Sequence, residues 1–176
     1  ATQCVVVGGK VYVLSDGALY SYTTSDEYVE TYDKAGILSD QGIRHIALDE
    51  PTGTLVVIYN NANIDLLHTD GSVVNITDYA NKATMDPAVN DIRIADGRAY
   101  LATNFGLTVL DVERGVFANT YTLGKTVLSA TALDGVIFAA TAEGLYRGDT
   151  RDNLLDITNW HCVSTNNYAK LVAFDD

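Results

Sequence analysis

Residues 98–112 read RAYLATNFGLTVLDV, and three other segments of the chain have the same organisation. They are KVYVLSDGALYSY at 10–22, TLVVIYNNANIDLLH at 54–68 and VIFAATAEGLYRGD at 136–149. Each segment follows a tight turn and contains a β-rich run, a second turn and another short apolar run. The first turns end at Gly9, Gly53, Gly97 and Gly135, and the second turns are marked by Gly17, Asn63, Gly106 and Gly144. Because both sets of landmarks recur at steps of about 40 residues, the chain consists of four repeats.

Each repeat extends by one predicted strand in both directions. The upstream strands are residues 4–7, 44–48, 91–95 and 129–133, and the downstream strands are 28–32, 73–76, 117–123 and 160–164. Asp96-Gly97 and Asp134-Gly135 are strong hairpin signals, since glycine accepts the positive φ that a two-residue turn requires. No stretch of a dozen residues carries a convincing helical apolar stripe. The sequence therefore predicts four units of four antiparallel strands, at residues 4–33, 43–78, 89–123 and 127–164.

Four antiparallel strands in each repeat of about 40 residues are typical of a β-propeller blade. The second strands support this interpretation, because they are apolar at consecutive positions, as in strands buried on both faces. These runs are 11–14, 55–58, 100–102 and 137–140. A β-sandwich would show one wet face on each strand, and a lipocalin-like barrel has no reason to repeat at this interval. A propeller is therefore favoured over both.

Residues 170–174 (KLVAF) are similar to the strand that opens each earlier repeat. We therefore predict an all-β fold over residues 1–176: a single propeller segment of four four-stranded blades plus the first strand of a fifth. Such a segment leaves apolar faces and strand edges without neighbours, and these promote association. We expect the isolated chain to self-associate, plausibly as a two-fold pair. A closed ring of four blades is the alternative.

The composition limits the partners. The 176 residues include 23 acids and 11 bases, so the formal net charge is −12, and no basic cluster occurs. Nucleic acid and anionic membrane surfaces are therefore poor candidates as partners. The hydrophobic content of 47% excludes intrinsic disorder. No apolar run is long enough to span a membrane, and no signal peptide is present, so we expect an exported protein to have lost its leader.

Residues that could carry chemistry are scattered. His45, His68 and His161 have no metal-ligand spacing. Residues 60–65 (NNANID) are rich in oxygen ligands but lack the pattern of a calcium loop, so they are interpreted as a turn. Four acids near the blade links are expected to be solvated loop residues, and four strand tyrosines are expected to pack with a polar tip. The acids are Asp40, Asp49, Asp86 and Asp91, and the tyrosines are Tyr12, Tyr20, Tyr22 and Tyr100.

The two cysteines leave two alternatives. Cys4 and Cys162 form a disulfide or are two separate buried thiols, and the second alternative is favoured. No phosphate loop, nucleophile elbow or cysteine cluster occurs in the sequence. We therefore predict no catalytic, metal-binding or cofactor-binding residue and no cofactor, and we assign no ligand-binding residue.

Several segments resemble known propellers. Residues 38–49 (LSDQGIRHIALD) and 140–145 (ATAEGL) resemble the repeats of two-component-regulator propellers, which are common in periplasmic sensor regions. Residues 59–67 (YNNANIDLL), 75–78 (NITD) and 99–111 (AYLATNFGLTVLD) are together similar to the N-terminal propeller of PorZ-like proteins, which are linked to type IX secretion. The regulator repeat usually has tryptophan where Tyr100 and Phe138 stand, which favours the PorZ-like group.

This resemblance implies a larger exported protein, periplasmic or at the cell surface, with more than four blades. It further implies a non-enzymatic recognition or scaffold module. Its expected partners are the remaining blades and domains of the protein and an envelope protein or surface glycan. The periplasmic sensor propeller of a hybrid two-component regulator is the alternative, and a fragment of a propeller hydrolase or lyase is less favoured.

Overall fold

The structure is a computed structural model that describes residues 1–79 and 86–173. These residues form four antiparallel sheets of four strands each, in which every strand pairs with the next one along the chain. By contact the chain divides into two compact units, Ala1–Ala83 and Thr84–Asp176. Within the described residues no helix is long and apolar enough to cross a membrane.

The first unit contains blades 1 and 2. Blade 1 consists of β1 (Gln3–Val7), β2 (Lys10–Ser15), β3 (Ala18–Thr23) and β4 (Tyr28–Tyr32), and blade 2 of β5 (Ile43–Asp49), β6 (Thr54–Tyr59), β7 (Ile64–Leu67) and β8 (Val73–Ile76). The first strands of the two blades, β1 and β5, lie beside each other. Their shared core is built from apolar side chains of both sheets: Tyr12, Leu14, Leu19, Tyr32, Leu38, Ile43, Ile46, Leu55, Val57, Tyr59 and Leu67.

The second unit contains blades 3 and 4. Blade 3 consists of β9 (Val89–Ala95), β10 (Arg98–Thr103), β11 (Gly106–Asp111) and β12 (Val116–Thr122), and blade 4 of β13 (Val127–Leu133), β14 (Val136–Thr141), β15 (Gly144–Asp149) and β16 (His161–Ser164). A short 3-10 helix, Ile157–Asn159, precedes β16. Their common core includes Tyr100, Leu107, Val109, Tyr121, Leu123, Val127, Ile137, Leu154 and Trp160.

The turns explain the repeat landmarks. Asp96-Gly97 and Asp134-Gly135 have positive φ at both residues and join strands paired directly across the turn, as predicted. Gly106 is required for a different reason, because a Cβ there would lie 2.0 Å from the backbone oxygen of Tyr121. A side chain at Gly144 would meet the Ser164 oxygen in the same way. Glycine thus lets the third strand approach the fourth at the second turn of blades 3 and 4.

The predicted fold class, an all-β propeller fragment, is confirmed, and each first, second and fourth strand predicted for the four blades coincides with an observed one to within two residues. The predicted strand at 160–164 begins one residue later, because Trp160 ends the 3-10 helix. The predicted strand of a fifth blade at 170–174 is not formed in residues 170–173, and Phe174 lies outside the described residues. No described strand pairs with this segment, and a strand is defined by its paired neighbour.

The prediction that the second strands are buried on both faces holds unequally. All six residues of β6 are buried, and so are five of the six in β10. In β2, by contrast, buried and partly exposed residues alternate, and Phe138 of β14 is also only partly buried. The prediction is therefore confirmed for blades 2 and 3 and wrong at these positions of blades 1 and 4, because burial depends on a neighbouring sheet as well as on the strand.

Candidate interaction surfaces

A row of polar side chains links consecutive first strands within each unit. Gln3, Asp91 and Ser129 are equivalent, since each pairs with the fifth residue of the second strand of its blade. The Gln3 Oε1 accepts a 2.8 Å hydrogen bond from the backbone N–H of Ile46 in the next blade. In the second unit the Ser129 hydroxyl donates to Asp91 Oδ2 at 2.6 Å, and the N–H of Leu171 donates to Ser129 Oγ at 3.1 Å.

The acids near the links differ from the prediction in two cases. Asp49 and Asp91 are 1% and 3% exposed and lie within strands, so the interpretation as solvated loop acids is wrong for both. Asp91 is accommodated because Arg93 Nε lies 3.3 Å from its Oδ2, and Asp49 accepts a hydrogen bond from the Thr52 hydroxyl. A buried carboxylate needs such partners to remain charged.

One end of each sheet carries both the turn between its second and third strands and the links to the adjacent blades. In blade 2, Asn61 of this turn donates to Asp40 of the preceding link. That bond, with the backbone N–H of Gln41, holds the pKa of Asp40 below its usual value. The link and the turn are therefore joined in a fixed arrangement.

Blades 3 and 4 repeat this arrangement with other residues. Asn104 in the turn of blade 3 donates to Asp86 of the link at 2.6 Å and accepts from Asn90 at 3.0 Å. In blade 4, Lys125 of the link donates to Glu143 of the turn at 2.6 Å. These side-chain bridges hold the loops at this end of each sheet in place, which suits a preformed binding surface.

Residues 60–63 form a turn, as predicted, whereas Ile64 and Asp65, which the prediction also placed in the turn, begin β7. Asp65 is fully buried and accepts hydrogen bonds from the Tyr59 hydroxyl, the Ser39 N–H at 2.8 Å and the Asn75 amide at 2.7 Å. Burial, together with the bond to Asp65, raises the pKa of Tyr59. The Asp65 carboxylate thus joins the link before blade 2 to the second, third and fourth strands of the blade 2 sheet. Both carboxylate oxygens of Asp65 accept hydrogen bonds from groups within the protein.

Blade 1 carries a polar cluster on its core face. The Tyr32 hydroxyl donates to Glu30 at 2.6 Å and lies 3.2 Å from the Lys10 ammonium and 3.1 Å from the Ser21 hydroxyl. The bond from Tyr32 holds the pKa of Glu30 below its usual value. Tyr12 packs beside Tyr32, and burial, with the nearby Tyr32, raises its pKa to about 12.

The histidines and cysteines lie apart. His68 Nδ1 is 3.1 Å from the Thr54 hydroxyl, and His161 is exposed on β16, as predicted. Among the described residues no three His, Cys, Asp or Glu side chains gather as a metal ion requires. Cys4 and Cys162 are free, but both are exposed, so the expectation of buried thiols is wrong.

One face of blade 1 is apolar and uncovered, a surface called here the exposed face of blade 1. Strand register places its members side by side: Cys4, Val6, Val11, Val13, Tyr20, Tyr22 and Val29. Val6 is 61% exposed and Val29 59%. Tyr20 and Tyr22 are also exposed, so the expectation that they pack is wrong, whereas Tyr12 and Tyr100 are buried as predicted. The sequence analysis expected such a segment to leave apolar faces without neighbours, but it did not identify which residues of blade 1 are exposed.

Two features are candidate interaction surfaces: the bridged loops at one end of blades 2, 3 and 4, and the exposed face of blade 1. The polar clusters at Asp65, Tyr32 and Asp91 are occupied by partners within the fold. The row of Gln3, Asp91 and Ser129 could have been found from the sequence only by aligning the repeats, because the three residue types differ. What unites them is their position and their capacity to hydrogen-bond.

Comparison with known proteins identifies the family. The sequence profile of the PorZ N-terminal β-propeller domain of the type IX secretion system matches residues 11–161. The chain is 32% identical to PorZ of Porphyromonas gingivalis, a bacterial surface component of that system. The two structures superpose with a TM-score of 0.84, and the match covers 92% of this chain and 22% of PorZ.

A second similar structure is the extracellular domain of a protein described as a hybrid two-component system of B. thetaiotaomicron. It is 18% identical, with a TM-score of 0.71 over 93% of this chain and 23% of that one, and at this identity it shows the fold alone. Among curated protein sequences none matches the chain. The chain thus spans less than a quarter of the length of either relative. On the match over residues 11–161 and the likeness to PorZ, it belongs to the family of PorZ N-terminal β-propeller domains.

Proposed function

We propose that this chain is a non-enzymatic recognition or scaffold module of an exported cell-envelope protein, located in the periplasm or at the cell surface. The observation that carries the proposal is membership of the PorZ family over residues 11–161, together with the description of the P. gingivalis relative as a surface component of a secretion system. Ligands are expected at the loop ends of the blades, where concave surfaces arise in repeat folds. The bridges Asp40–Asn61 and Asp86–Asn104 support this, because they fix those loops before any ligand arrives.

The test uses the full-length protein and cell-envelope fractions, with anionic lipopolysaccharide as one of the probes. Retention of an envelope protein or surface glycan is expected, and it should weaken when Asn61 and Asn104 are both changed to alanine. Those two variants lie at the fixed loops, so Thr69→Ala, at the other end of blade 2, serves as the matched control. A full-length protein that retains no envelope component would overturn the proposal.

We also propose that the four blades form one propeller segment over residues 1–176, completed by blades elsewhere in the full-length protein. The exposed face of blade 1 is then covered by a further blade. The segment 170–174 becomes the first strand of a blade that follows. Two hydrogen bonds support this: Ser129 accepts from Leu171 N–H as Gln3 accepts from Ile46 N–H of a true first strand.

Without those blades, the isolated 176-residue chain should self-associate, plausibly as a two-fold pair, through the exposed face of blade 1. Light scattering coupled to size exclusion at micromolar concentration should give a mass above the 19.0 kDa of one chain. Val6→Lys with Val29→Lys should restore the monomer, whereas Val116→Lys, an exposed valine of blade 3, should not. A wild-type monomer of 19.0 kDa would reject the association and favour the closed ring.

The sensor of a hybrid two-component regulator is a second candidate, favoured by the link at residues 38–49. Five residues of that segment are buried in this structure: Leu38, Ile43, Ile46, Ala47 and Asp49. The discriminating observation is the gene that encodes this chain. A membrane span and a kinase domain in the same reading frame would support the sensor, and a complete reading frame lacking both would reject it.

A further inference from the structure

The connection between the third and fourth strands of blade 4 differs from its counterparts. It runs from residue 150 to 160, eleven residues, whereas the connections in blades 1, 2 and 3 are residues 24–27, 68–72 and 112–115, four or five residues each. A connection of four residues is therefore sufficient to join these strands. The additional residues of the 150–160 loop need another explanation.

The loop is fastened to its sheet by two buried side chains. Leu154 and Trp160 are 4% and 6% exposed and cover Gly148 of β15, where an added Cβ would lie 2.7 Å from Leu154. Trp160 also packs edge-on against Tyr121, with ring centroids 5.7 Å apart. Its indole N–H donates to the Leu154 oxygen at 3.0 Å. Leu154 and Trp160 are thus bonded to each other and packed into the core.

Between these anchors the loop is held by its own hydrogen bonds. The Asp156 carboxylate accepts from the N–H of Thr158 at 2.9 Å and from its hydroxyl at 2.7 Å. The Asn153 oxygen accepts from the N–H of Asp156 at 3.0 Å and from the Asn159 amide at 2.9 Å. These local bonds restrict the tip of the loop, which reduces the entropy it would lose on binding a partner.

This fixed tip presents two aliphatic side chains to solvent. Leu155 is 68% exposed, the largest value for any bulky apolar side chain in the described part of the chain, and Ile157 is 49% exposed. Leu154 and Trp160 already pack the loop against the core, so packing does not require the exposed side chains of Leu155 and Ile157. Single exposed apolar residues are ordinary, but a pair at the tip of a rigid projection resembles the anchors that fill pockets in protein interfaces.

The charges around the pair indicate the chemistry of the partner. Arg151 is paired with Asp149 in the same loop region, with Nη2 and Oδ2 2.6 Å apart. The carboxylates of Asp152 and Asp156 are exposed on either side of Leu155. With Asp149 they make three carboxylates in residues 149–157 against a single cation, Arg151, which also interacts with Asp152, so the region keeps an excess of negative charge. We propose that Leu155 and Ile157 dock into an apolar pocket with a basic rim on a partner protein, an interaction site that goes beyond the recognition role proposed above.

Two other surfaces fit less well. A glycan is bound mainly through aromatic faces and planar polar groups, and the exposed pair is aliphatic. An anionic membrane would be repelled by the two flanking carboxylates. A small interface centred on two anchors corresponds to a transient complex rather than a permanent one.

The experiment places a photo-crosslinking amino acid at position 155 of the full-length protein, expressed in the cells that normally make it. A matched reporter at position 116 controls for exposure, because Val116 is an exposed apolar residue beside the four-residue connection of blade 3. We expect one discrete protein adduct from position 155 and none from position 116. Adding Ile157→Ser should reduce the adduct about tenfold, as removal of an interface anchor does, and Asp152→Lys should also reduce it.

Three results would overturn the proposal: no protein adduct at position 155, equal adducts at both positions, or an adduct unchanged by Asp152→Lys. Binding of phosphatidylcholine vesicles that is lost in the Leu155→Ser, Ile157→Ser variant would overturn it as well, by assigning the tip to lipid. The thermal unfolding midpoint of that variant should equal that of the parent, because both side chains are exposed. Retention of envelope components in the test of the proposed function is a separate readout, so either proposal can fail alone.

Discussion

Blades 1 and 2 have the same strand order and second strands of six residues each, yet the same face is exposed in one and buried in the other. The equivalent pairs follow from register: Val11 and Leu55, Val13 and Val57, Tyr20 and Asp65, Tyr22 and Leu67. All four blade 2 residues are buried, and none of the four blade 1 residues is. Exposure here does not follow hydrophobicity, since the one charged residue of the set, Asp65, is fully buried while Tyr20 is exposed.

The comparison shows that the sequence of a blade supplies two apolar faces and that the neighbouring sheet determines whether each face is buried. In blade 2 this face packs against Tyr12, Leu14 and Leu19 of blade 1. In blade 1 the corresponding face has no such sheet in the described first unit. Substitutions at equivalent positions should therefore have very different costs in the two blades.

The largest difference is expected for Asp65→Ala against Tyr20→Ala. Loss of the Asp65 carboxylate leaves the buried Tyr59 hydroxyl and the Ser39 N–H without this acceptor and removes one of the three acceptors of the Asn75 amide, at a cost of roughly 3–5 kcal/mol. Tyr20→Ala should cost below about 1 kcal/mol, because the side chain is exposed. Urea unfolding followed by circular dichroism measures both, and equal costs would show that the two faces are covered alike.

Alkaline pH should distinguish the two faces of blade 1. The folded-state pKa of Tyr12 is raised to about 12, so the neutral phenol favours the folded state. This contribution is complete below the unfolded pKa of about 10 and is lost as pH rises from 10 through 12, a change of roughly 2–3 kcal/mol. Tyr12→Phe should flatten the loss of stability in this window, and Tyr20→Phe, on the exposed face, should leave it unchanged. A pH titration of the unfolding midpoint that responds equally to both variants would contradict this assignment.

Val57→Ala and Val13→Ala remove the same two methyl groups at equivalent positions. Val57 is fully buried, so its loss should cost about 2 kcal/mol, from the transfer of two methyl groups and the cavity they leave. Val13 is only partly buried, and its loss should cost about half as much or less. If a further blade covers the exposed face of blade 1 in the full-length protein, the two costs should converge there, as measured by chemical denaturation of both forms.

The smallest effect is expected at Glu30, on the core face of blade 1. The pKa of Glu30 is lowered by the bond from Tyr32, so its contribution is present above its unfolded pKa and is lost as pH falls through the lower folded value. Because the carboxylate is 44% exposed, Glu30→Gln should cost below about 1 kcal/mol at neutral pH. The variant should lose less stability than the parent between pH 5 and 3. If the free energy of unfolding of both proteins falls equally between pH 5 and 3, Glu30 does not contribute to the acid sensitivity of the fold.

The amino-acid sequence by itself determined the repeat, the sixteen strands and their turns. Those features depend on local chemistry: Asp-Gly pairs adopt positive φ, and β-rich runs of four to seven residues between turns form strands. The sequence also revealed the family, because residues 59–67 and 99–111 carry its most specific segments. The turn at residues 60–63 likewise needed nothing beyond the conformational preference of asparagine.

The tertiary structure alone decided which of the apolar faces and acids are buried. KVYVLS and TLVVIY are both apolar strands by sequence, yet only the second is covered on both faces, since coverage comes from a neighbouring sheet and not from the strand itself. Asp49, Asp65 and Asp91 resemble loop acids by composition, but hydrogen-bond donors hold them inside: the following turn supplies the donor to Asp49, and other strands supply donors to Asp65 and Asp91. The exposed pair at Leu155 and Ile157 was equally hidden, because nothing in the letters LLDI distinguishes the leucine that packs from the one that projects. Burial is a property of contacts between distant residues, and those contacts exist only in the folded chain.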